Sequence, residues 1–391
     1  MSDVVIVGAK RTAIGSFLGQ FTGVPTTALG TAAIIGALEH AGLAPDQVDE
    51  VLMGCVLPAG LGQAPARQSA LAAGVPDSAP CTTINKVCGS GMKAVMLGYD
   101  QIKAGSARVV VAGGMESMTN APHLLNGSRT GVRYGSAEFL DHMAHDGLTN
   151  PYDGKAMGVF GDATCNTYEF DRESLDAFSG ESVKRAKAAQ ADGRFKDEIV
   201  PVTVKGRKGE TIVDTDEEPG KIDASKMAGL RAAFGKEGVL TAASSSKLSD
   251  GAAATVLMSA EDAASRGLEP LARIVAHAGH AQAPEWFTTA PVAAITKVLE
   301  KAGWSVDDVD LFEINEAFAC VAMAPIKDLG ISADKVNVHG GAVALGHPIG
   351  ASGARLLVTL IHALRQRGGK RGVASLCIGG GEATAVAIEL P

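Results

Sequence analysis

Twelve residues near the start of the chain come back near its end. Leu38 to Asp49 reads L-E-H-A-G-L-A-P-D-Q-V-D, and Leu299 to Asp310 reads L-E-K-A-G-W-S-V-D-D-V-D. Seven of the twelve positions agree, at an offset of 261 residues. Each copy reads as the end of a helix, a glycine stop, a turn and the entry to a strand. A second echo confirms the spacing. G-S-G-M-K-A at 89–94 and A-S-G-A-R-L at 351–356 both open helices, at an offset of 262. Each helix leads to a strand that ends in glycines, V-V-V-A-G-G at 109–114 and S-L-C-I-G-G-G at 375–381. The spacing imposes two related halves. Taking 261 from the 391 residues leaves 130 for each half, and the remaining 131 form an insertion. The expected division is 1–119 for the N-terminal half, 120–250 for the insertion and 251–391 for the C-terminal half.

The insertion differs in character from the halves: it is looped, polar and mixed in charge, as in K-G-R-K-G-E-T-I-V-D-T-D-E-E-P-G-K at 205–221. In both halves strands alternate with helices, which predicts layered α/β sheets. The apolar strands V-V-V-A and V-A-S-L-C predict sheets buried on both faces. Aromatic residues make up only 4% of the chain, so the core is expected to be aliphatic.

Charge and patterning exclude several classes of function. A net charge of −8 argues against a nucleic-acid binder, while leaving room for a local basic patch around a phosphorylated ligand. No run of 18 apolar residues occurs, so no membrane span is expected. The opening M-S-D-V-V-I-V-G-A-K-R reads as a strand, not as a leader peptide, and I-E-L-P at the end carries no address signal, so a cytoplasmic protein is expected. Six cysteines are spread widely without a C-x-x-C pair, which fits neither a zinc site nor a disulfide scaffold. Each is by default a small buried apolar residue.

Four short motifs are polar or glycine-rich where a core would be apolar. They surround Cys88 (N-K-V-C-G-S-G), Asn315 (E-I-N-E-A-F), His347 (G-G-A-V-A-L-G-H-P-I-G) and Cys377 (C-I-G-G-G). All fall at strand ends or helix starts, where sites assemble in α/β sheets. Cys88 opens an amphipathic pattern running from Met92 through Val95 and Met96 to Tyr99 and Ile102. It reads either as a buried helix-start residue or as a nucleophile. A helix N-terminus favours the thiolate, and Gly89 and Gly91 clear space for a substrate. Asn315 reads equally as a helix cap. His347 reads as a functional histidine in a loop fixed by Pro348. Cys377 alone is a core thiol, but the bare backbone N–H groups of its glycine triplet can hold an oxyanion.

Together, in this order and spacing, the four motifs resemble those of the thiolase family, and the similarity extends from V-I-V-G-A-K-R-T-A-I-G-S-F to the last strand. Within the family the chain most resembles acetyl-CoA acetyltransferases. The resemblance implies a duplicated thiolase fold, a five-layered αβαβα core with an inserted loop domain that helps to hold coenzyme A, and a homotetramer. It implies the reversible condensation of two acetyl-CoA to acetoacetyl-CoA plus CoA through an acyl-cysteine. Cys88 takes the acyl group, His347 accepts its proton, and Cys377 removes a proton from the methyl of the second acetyl-CoA. One oxyanion falls to His347 and a water on Asn315, the other to the backbone N–H groups of Cys88 and Gly379. No metal or redox cofactor is expected, only CoA thioesters as substrates.

The same resemblance places Ser246 and Lys221 among the CoA contacts, and Met157 and Phe287 on the wall of the acyl pocket. It also exposes departures. Ser244 stands where relatives often carry Asn, Ala156 where they often carry His, and Pro219 where potassium-activated relatives carry a tyrosine ligand. The nearest rival is a longer-chain 3-ketoacyl-CoA thiolase with the same catalytic residues and a wider pocket. A ketoacyl synthase is disfavoured by G-H-P and Cys377. A non-catalytic lipid-binding relative would be expected to lack Cys88, His347 or Cys377. A papain-like hydrolase gives the duplication and the second cysteine no role.

Overall fold

The computed structural model describes residues 2–206 and 209–391; Met1 and, from the charge-mixed stretch, Arg207 and Lys208 lie outside it. The first half supplies five strands to one large sheet: β1 (Val4–Thr12), β2 (Glu50–Gly54), β3 (Cys81–Ile84), β4 (Val109–Ser117) and β5 (Ser249–Ser259). They lie side by side in the order β1-β5-β4-β2-β3. Helix α1 (Thr26–Ala41) covers the outer face of this half-sheet, and α2 (Ser90–Ala104) covers the inner face. Helix α1 stops where expected, at Gly42, whose φ of 65° ends the helix in the left-handed region. The expected start of the C-terminal half, residue 251, lies within β5, which pairs on both sides with strands of the first half. A nine-residue antiparallel ladder to β4, Asp250↔Ser117 through Met258↔Val109, holds it there.

The insertion between β4 and β5 contains helices α3 (Met157–Tyr168) and α4 (Arg172–Ala191) and two small two-stranded sheets. Asp171 caps α4 by accepting from Ser174 N–H at 2.8 Å. A buried Arg11 on β1 anchors this region to the sheet, donating to Glu198 at 2.6 Å and to Asp216 at 2.7 and 2.9 Å. The fully desolvated guanidinium is compensated by two carboxylates, so removing Arg11 would leave both of them buried and unpaired.

The second half repeats the first. Strands β6 (Ala272–Ala281), β7 (Leu311–Ile314), β8 (Arg371–Ile378) and β9 (Glu382–Glu389) run in the order β6-β9-β8-β7. Helix α5 (Ala290–Ala302) covers the outer face and stops at Gly303 with φ 69°, as α1 does at Gly42. Helix α6 (Ala319–Leu329) follows β7, and α7 (Ile349–Arg367) lies on the inner face. The half-sheets join where β1 meets β6 antiparallel, Val4↔Ile274 to Ile6↔Ala272.

The layers are therefore α1, half-sheet, α2 with α7, half-sheet and α5, the expected αβαβα core. The central layer explains the G-S-G and A-S-G echo. Helices α2 and α7 cross at Gly91 and Gly353. A Cβ on Gly91 would stand 3.0 Å from the Gly350 carbonyl, and one on Gly353 would stand 2.5 Å from Met92 N. Only glycine allows two backbones so close. Buried aliphatics of both half-sheets close on this pair, including Ile6, Leu257, Leu376 and Ile388.

Candidate active site

Both central helices open at the same end of the core, each after a tight turn. Cys88 sits in the turn into α2. Asn85 Oδ1 accepts from Val87 N–H at 2.9 Å, and Ser90 Oγ accepts from Lys86 N–H at 2.8 Å while donating to the Val87 carbonyl at 2.7 Å. These bonds hold Val87 at φ 46°, a left-handed conformation that a β-branched residue adopts only under constraint. Lys86 pairs with Glu382 at the start of β9, so the turn is fastened to the second half as well.

Cys88 keeps a partial opening to solvent, whereas Cys377, at the end of β8, is fully buried. The two thiols are close enough for the Cys88 charge to act on Cys377. Burial first, then Cys88, pushes the Cys377 thiol well above its ordinary range. The N–H groups of Gly379 and of Cys88 itself both point at the Cys88 sulfur, which puts two donors at the place where an oxyanion would form. The helix-start argument predicts a thiolate at Cys88. The surrounding protein overrides it, because desolvation pushes this thiol up to about 11, and the two N–H donors recover only part of the loss. At neutral pH both sulfurs are thiols and need a base.

The second turn holds an imidazole. His347 is buried, and its backbone N–H donates to the Lys247 carbonyl at 3.0 Å. Ser352 Oγ donates to the Pro348 carbonyl at 2.9 Å, so it receives the Nδ1–H of His347 at 2.5 Å. This assigns the lone pair to Nε2, where Asn315 Nδ2 approaches at 3.3 Å. Burial, aided by the buried Arg355 cation, lowers His347 to about 3, so the imidazole is neutral at pH 7 and free to accept a proton. Asn315 follows β7 directly and donates its N–H to the Ser375 carbonyl at 3.0 Å, two residues before Cys377. Its Oδ1 is buried without a protein partner among the described residues, an acceptor that a water or substrate group must satisfy. It is not a helix cap, since α6 begins only at Ala319.

The predicted wall residues gather around the same point. Met157 Cε lies 3.4 Å from where a Gly379 Cβ would stand, and Phe287 meets Phe160 edge-on at 6.5 Å between centroids. Met157, Phe287, Phe318 and Cys377 belong to one apolar cluster. Ser246 is tied to the site through its backbone, whose N–H donates to the Ala317 carbonyl at 3.0 Å. Lys221 lies farther out, pairing with Glu217 at 2.6 Å and lining a cavity of about 270 Å³ together with Lys226, Lys247 and Asp223. A second opening of about 760 Å³ includes Leu230 and Ala242 of the same cavity wall and adds Arg231 and Lys236. The structure thus brings Cys88 to Cys377 and Gly379, with Met157 and Phe287 beside Cys377, and brings His347 to Asn315, whose backbone is bonded two residues before Cys377. Lys221 lies apart from them, on the wall of a separate cavity.

Sequence reasoning missed three groups that hold the site in place. Glu116, fully buried at the end of β4, accepts N–H bonds from Val56, Leu57 and Gly350 at 3.0, 3.2 and 2.8 Å. Burial raises its carboxyl to about 7. Glu316 accepts from Asn337 and Ser182 at 2.8 Å and from Val343 N–H at 3.1 Å, fixing the loop that leads to His347. Ser352 sets the His347 tautomer. The signal for the two acids was a glutamate in an otherwise apolar strand end, G-G-M-E-S and F-E-I-N-E-A.

The sequence also matches two family descriptions in tandem, "Thiolase, N-terminal domain" over residues 4–261 and "Thiolase, C-terminal domain" over residues 268–390. It is 51% identical to a protein named acetyl-CoA acetyltransferase from Chromobacterium violaceum over 391 residues, covering 100% of both chains. It is 51% identical to acetyl-CoA acetyltransferase 2 of Arabidopsis thaliana, covering 99% of this chain and 97% of that one. The fold superposes on the crystal structure of the Bacillus anthracis acetyl-CoA acetyltransferase with a TM-score of 0.98 at 43% identity, covering 100% of this chain and 99% of the other. With both halves matched end to end, the chain belongs to the thiolase family.

Proposed function

We propose that the chain is an acetyl-CoA C-acetyltransferase, which condenses two acetyl-CoA to acetoacetyl-CoA and CoA and runs the reverse thiolysis. The observation that carries this reading is the pairing of two buried thiols of raised pKa with a neutral, oriented imidazole. A hydrolase needs one nucleophile. A condensation needs one thiol to hold the acyl group and a second acid–base group to make the carbanion.

In this mechanism His347 Nε2 takes the Cys88 proton as the sulfur attacks the thioester carbonyl. The developing oxyanion is held by the N–H groups of Cys88 and Gly379. CoA leaves as its thiol, taking that proton. A second acetyl-CoA binds with its carbonyl oxygen towards His347 and Asn315. His347, neutral again once CoA has left, takes the Cys377 proton; the Cys377 thiolate removes a methyl proton, and the carbanion attacks acetyl-Cys88, so that the carbon–carbon bond forms as the carbon–sulfur bond breaks and the released Cys88 sulfur takes the proton back from His347. The thioester acidifies the α-carbon by itself, so the mechanism calls for no metal or redox cofactor. Lys221, Lys226, Arg231 and Lys236 line the two cavities and suit the phosphates of CoA, and Ser246 belongs to the loop that carries Ala242 and Lys247 of the same walls.

A homotetramer fits the surface. Strand β3 is the free edge of the sheet, open to pairing with another chain. Val132, Tyr134 and Phe139 form an exposed apolar segment of the insertion, with Tyr134 102% accessible. A cytoplasmic site fits six free cysteines. No helix among the described residues is long and apolar enough to cross a membrane.

The test is direct. Incubation with acetyl-CoA alone should add one acetyl group per chain at Cys88, read by peptide mass spectrometry. Acetoacetyl-CoA with CoA should be consumed to give two acetyl-CoA. Acetylation confined to another residue, or no consumption of acetoacetyl-CoA, would overturn the reading.

A further inference from the structure

The loop 242–247 is closed on itself by its own last side chain. Lys247 Nζ donates back to the Ala242 carbonyl at 2.6 Å and to the Ser245 carbonyl at 2.8 Å. The Lys247 carbonyl holds the His347 N–H at 3.0 Å and accepts from Ser249 Oγ at 2.8 Å. Upstream in the same loop, Ser246 N–H reaches the Ala317 carbonyl at 3.0 Å, and Ala319 N–H reaches the Ser244 carbonyl at 2.9 Å. This loop is therefore the strut between the backbone that follows Asn315 and the backbone that presents His347. Two carbonyls turned inward on one small ring repel each other unless a cation sits between them, and the ammonium fills that place.

We infer that the Lys247 ammonium is a positioning group for the proposed reaction: it curls the loop that carries Ser246 and, through its own carbonyl, sets His347 against Cys88. The inference rests on the thiolase reading of those two residues. It is independent of any contact between Lys247 and substrate. The charged groups that face it are Glu218 and Glu316, whose charges raise its pKa, and Lys221, Lys226 and Asp223 across the shared cavity. Burial outweighs the two carboxylates and lowers Lys247 to about 8. The clamp is thus present below that pH and released above it.

The experiment compares the wild type with Lys247→Met, which keeps the stem and removes the charge, and with Lys247→Arg, which restores a cation. The first readout is the rate of Cys88 alkylation by iodoacetamide, which needs no substrate. The second is kcat and KM for acetoacetyl-CoA thiolysis. At pH 7 the Met variant should lose about tenfold or more in alkylation rate and in kcat, a misplacement effect, with a smaller change in KM. Lys247→Arg should recover most of the loss. The advantage of the wild type over Lys247→Met should shrink above about pH 8, as the lysine gives up its proton. Should Lys247→Met fail to fold, Lys247→Leu, which also removes every donor and the charge, makes the same comparison. Wild-type rates in the neutral variant, an Arg variant no better than Met, or an unchanged gap across pH would each overturn the inference. If the wild type itself does not cleave acetoacetyl-CoA, the function reading fails while the alkylation series still decides the role of Lys247.

Discussion

The turn into α2 and the turn into α7 are the same structure used twice, and what separates them is what each exposes. At an offset of 262, Asn85 corresponds to His347 and Ser90 to Ser352. Each serine donates back to its own turn, to Val87 or to Pro348. In the first turn the left-handed Val87 lifts Cys88 towards solvent, while Asn85 only braces the backbone. In the second the backbone is ordinary, with Pro348 at φ −67°, and the position of the brace holds the base instead. Duplication supplied two identical sockets. Division of labour came from strain in one and from burial in the other. The electrostatics follow: desolvation pushes the thiol up and the imidazole down, so both groups are neutral at pH 7.

The sharpest way to break this comparison is to empty one socket at a time. Cys88→Ala should lose on the order of 10⁴-fold or more in turnover and show no mass shift with acetyl-CoA. His347→Ala should lose about 10²- to 10⁴-fold in the acyl-transfer step itself, measured by single-turnover mass spectrometry. Acyl transfer at near wild-type rate without His347 would mean that the second turn holds no base. Cys377→Ala comes next. It should still accept label from acetyl-CoA but fail to exchange the methyl protons in deuterated water. Normal exchange would assign the carbanion chemistry to another group.

A smaller effect separates the two serines. Ser352→Ala frees the His347 tautomer and should lower kcat about tenfold with KM little changed. Ser90→Ala removes a turn brace and should read mainly as about 1 kcal/mol of stability in chemical denaturation. The pH profile supplies the control. A histidine held at about 3 is already deprotonated throughout the neutral range, so wild-type acyl transfer should not fall between pH 7 and 5 through this group. A fall centred near 6.5 would show that the ring is not shielded as described.

The smallest effect concerns chain length. Met157 and Phe287 fill the space beside Cys377, and forcing extra methylenes against them should cost on the order of 1–3 kcal/mol, roughly tenfold or more in kcat/KM. The C4, C6 and C10 3-ketoacyl-CoAs, compared side by side, decide this. Flat or rising values would move the chain to the longer-chain class, with Ala156 as the first place to look for room.

Much of this architecture was legible in the sequence because duplication prints a fold twice. The glycine stops at 42 and 303, the strands after them and the two helix mouths could all be read from internal agreement alone. The motifs around Cys88, His347 and Cys377 stood out because polar and glycine residues sat where the pattern demanded apolar ones. The partition at residue 251 is different. β5 follows the insertion in sequence but belongs to the first half-sheet, and only its ladder to β4 shows that. The charge state of Cys88 was equally hidden. A helix start can be read from spacing, but the desolvation that outweighs it comes from apolar residues far apart in the chain, such as Leu57, Met118 and Ile349. Glu116, Glu316 and Lys247 were missed for the same reason, since each acts on backbone groups that carry no sequence signal.

The glycine crossing of α2 and α7 sets how this enzyme can vary. One methyl group at Gly353 would press on Met92 N, at the root of the helix that carries Cys88, and one at Gly91 would press on the Gly350 carbonyl, three residues from His347. Both contacts are with backbone, which has no rotamer to turn aside. The nucleophile and the base are therefore mounted on a common pivot. An error at the pivot presses on the backbone of both helices at once. Substrate range can drift by exchanging wall residues such as Met157, because those hang from the insertion. The distance between sulfur and imidazole has no such free adjustment.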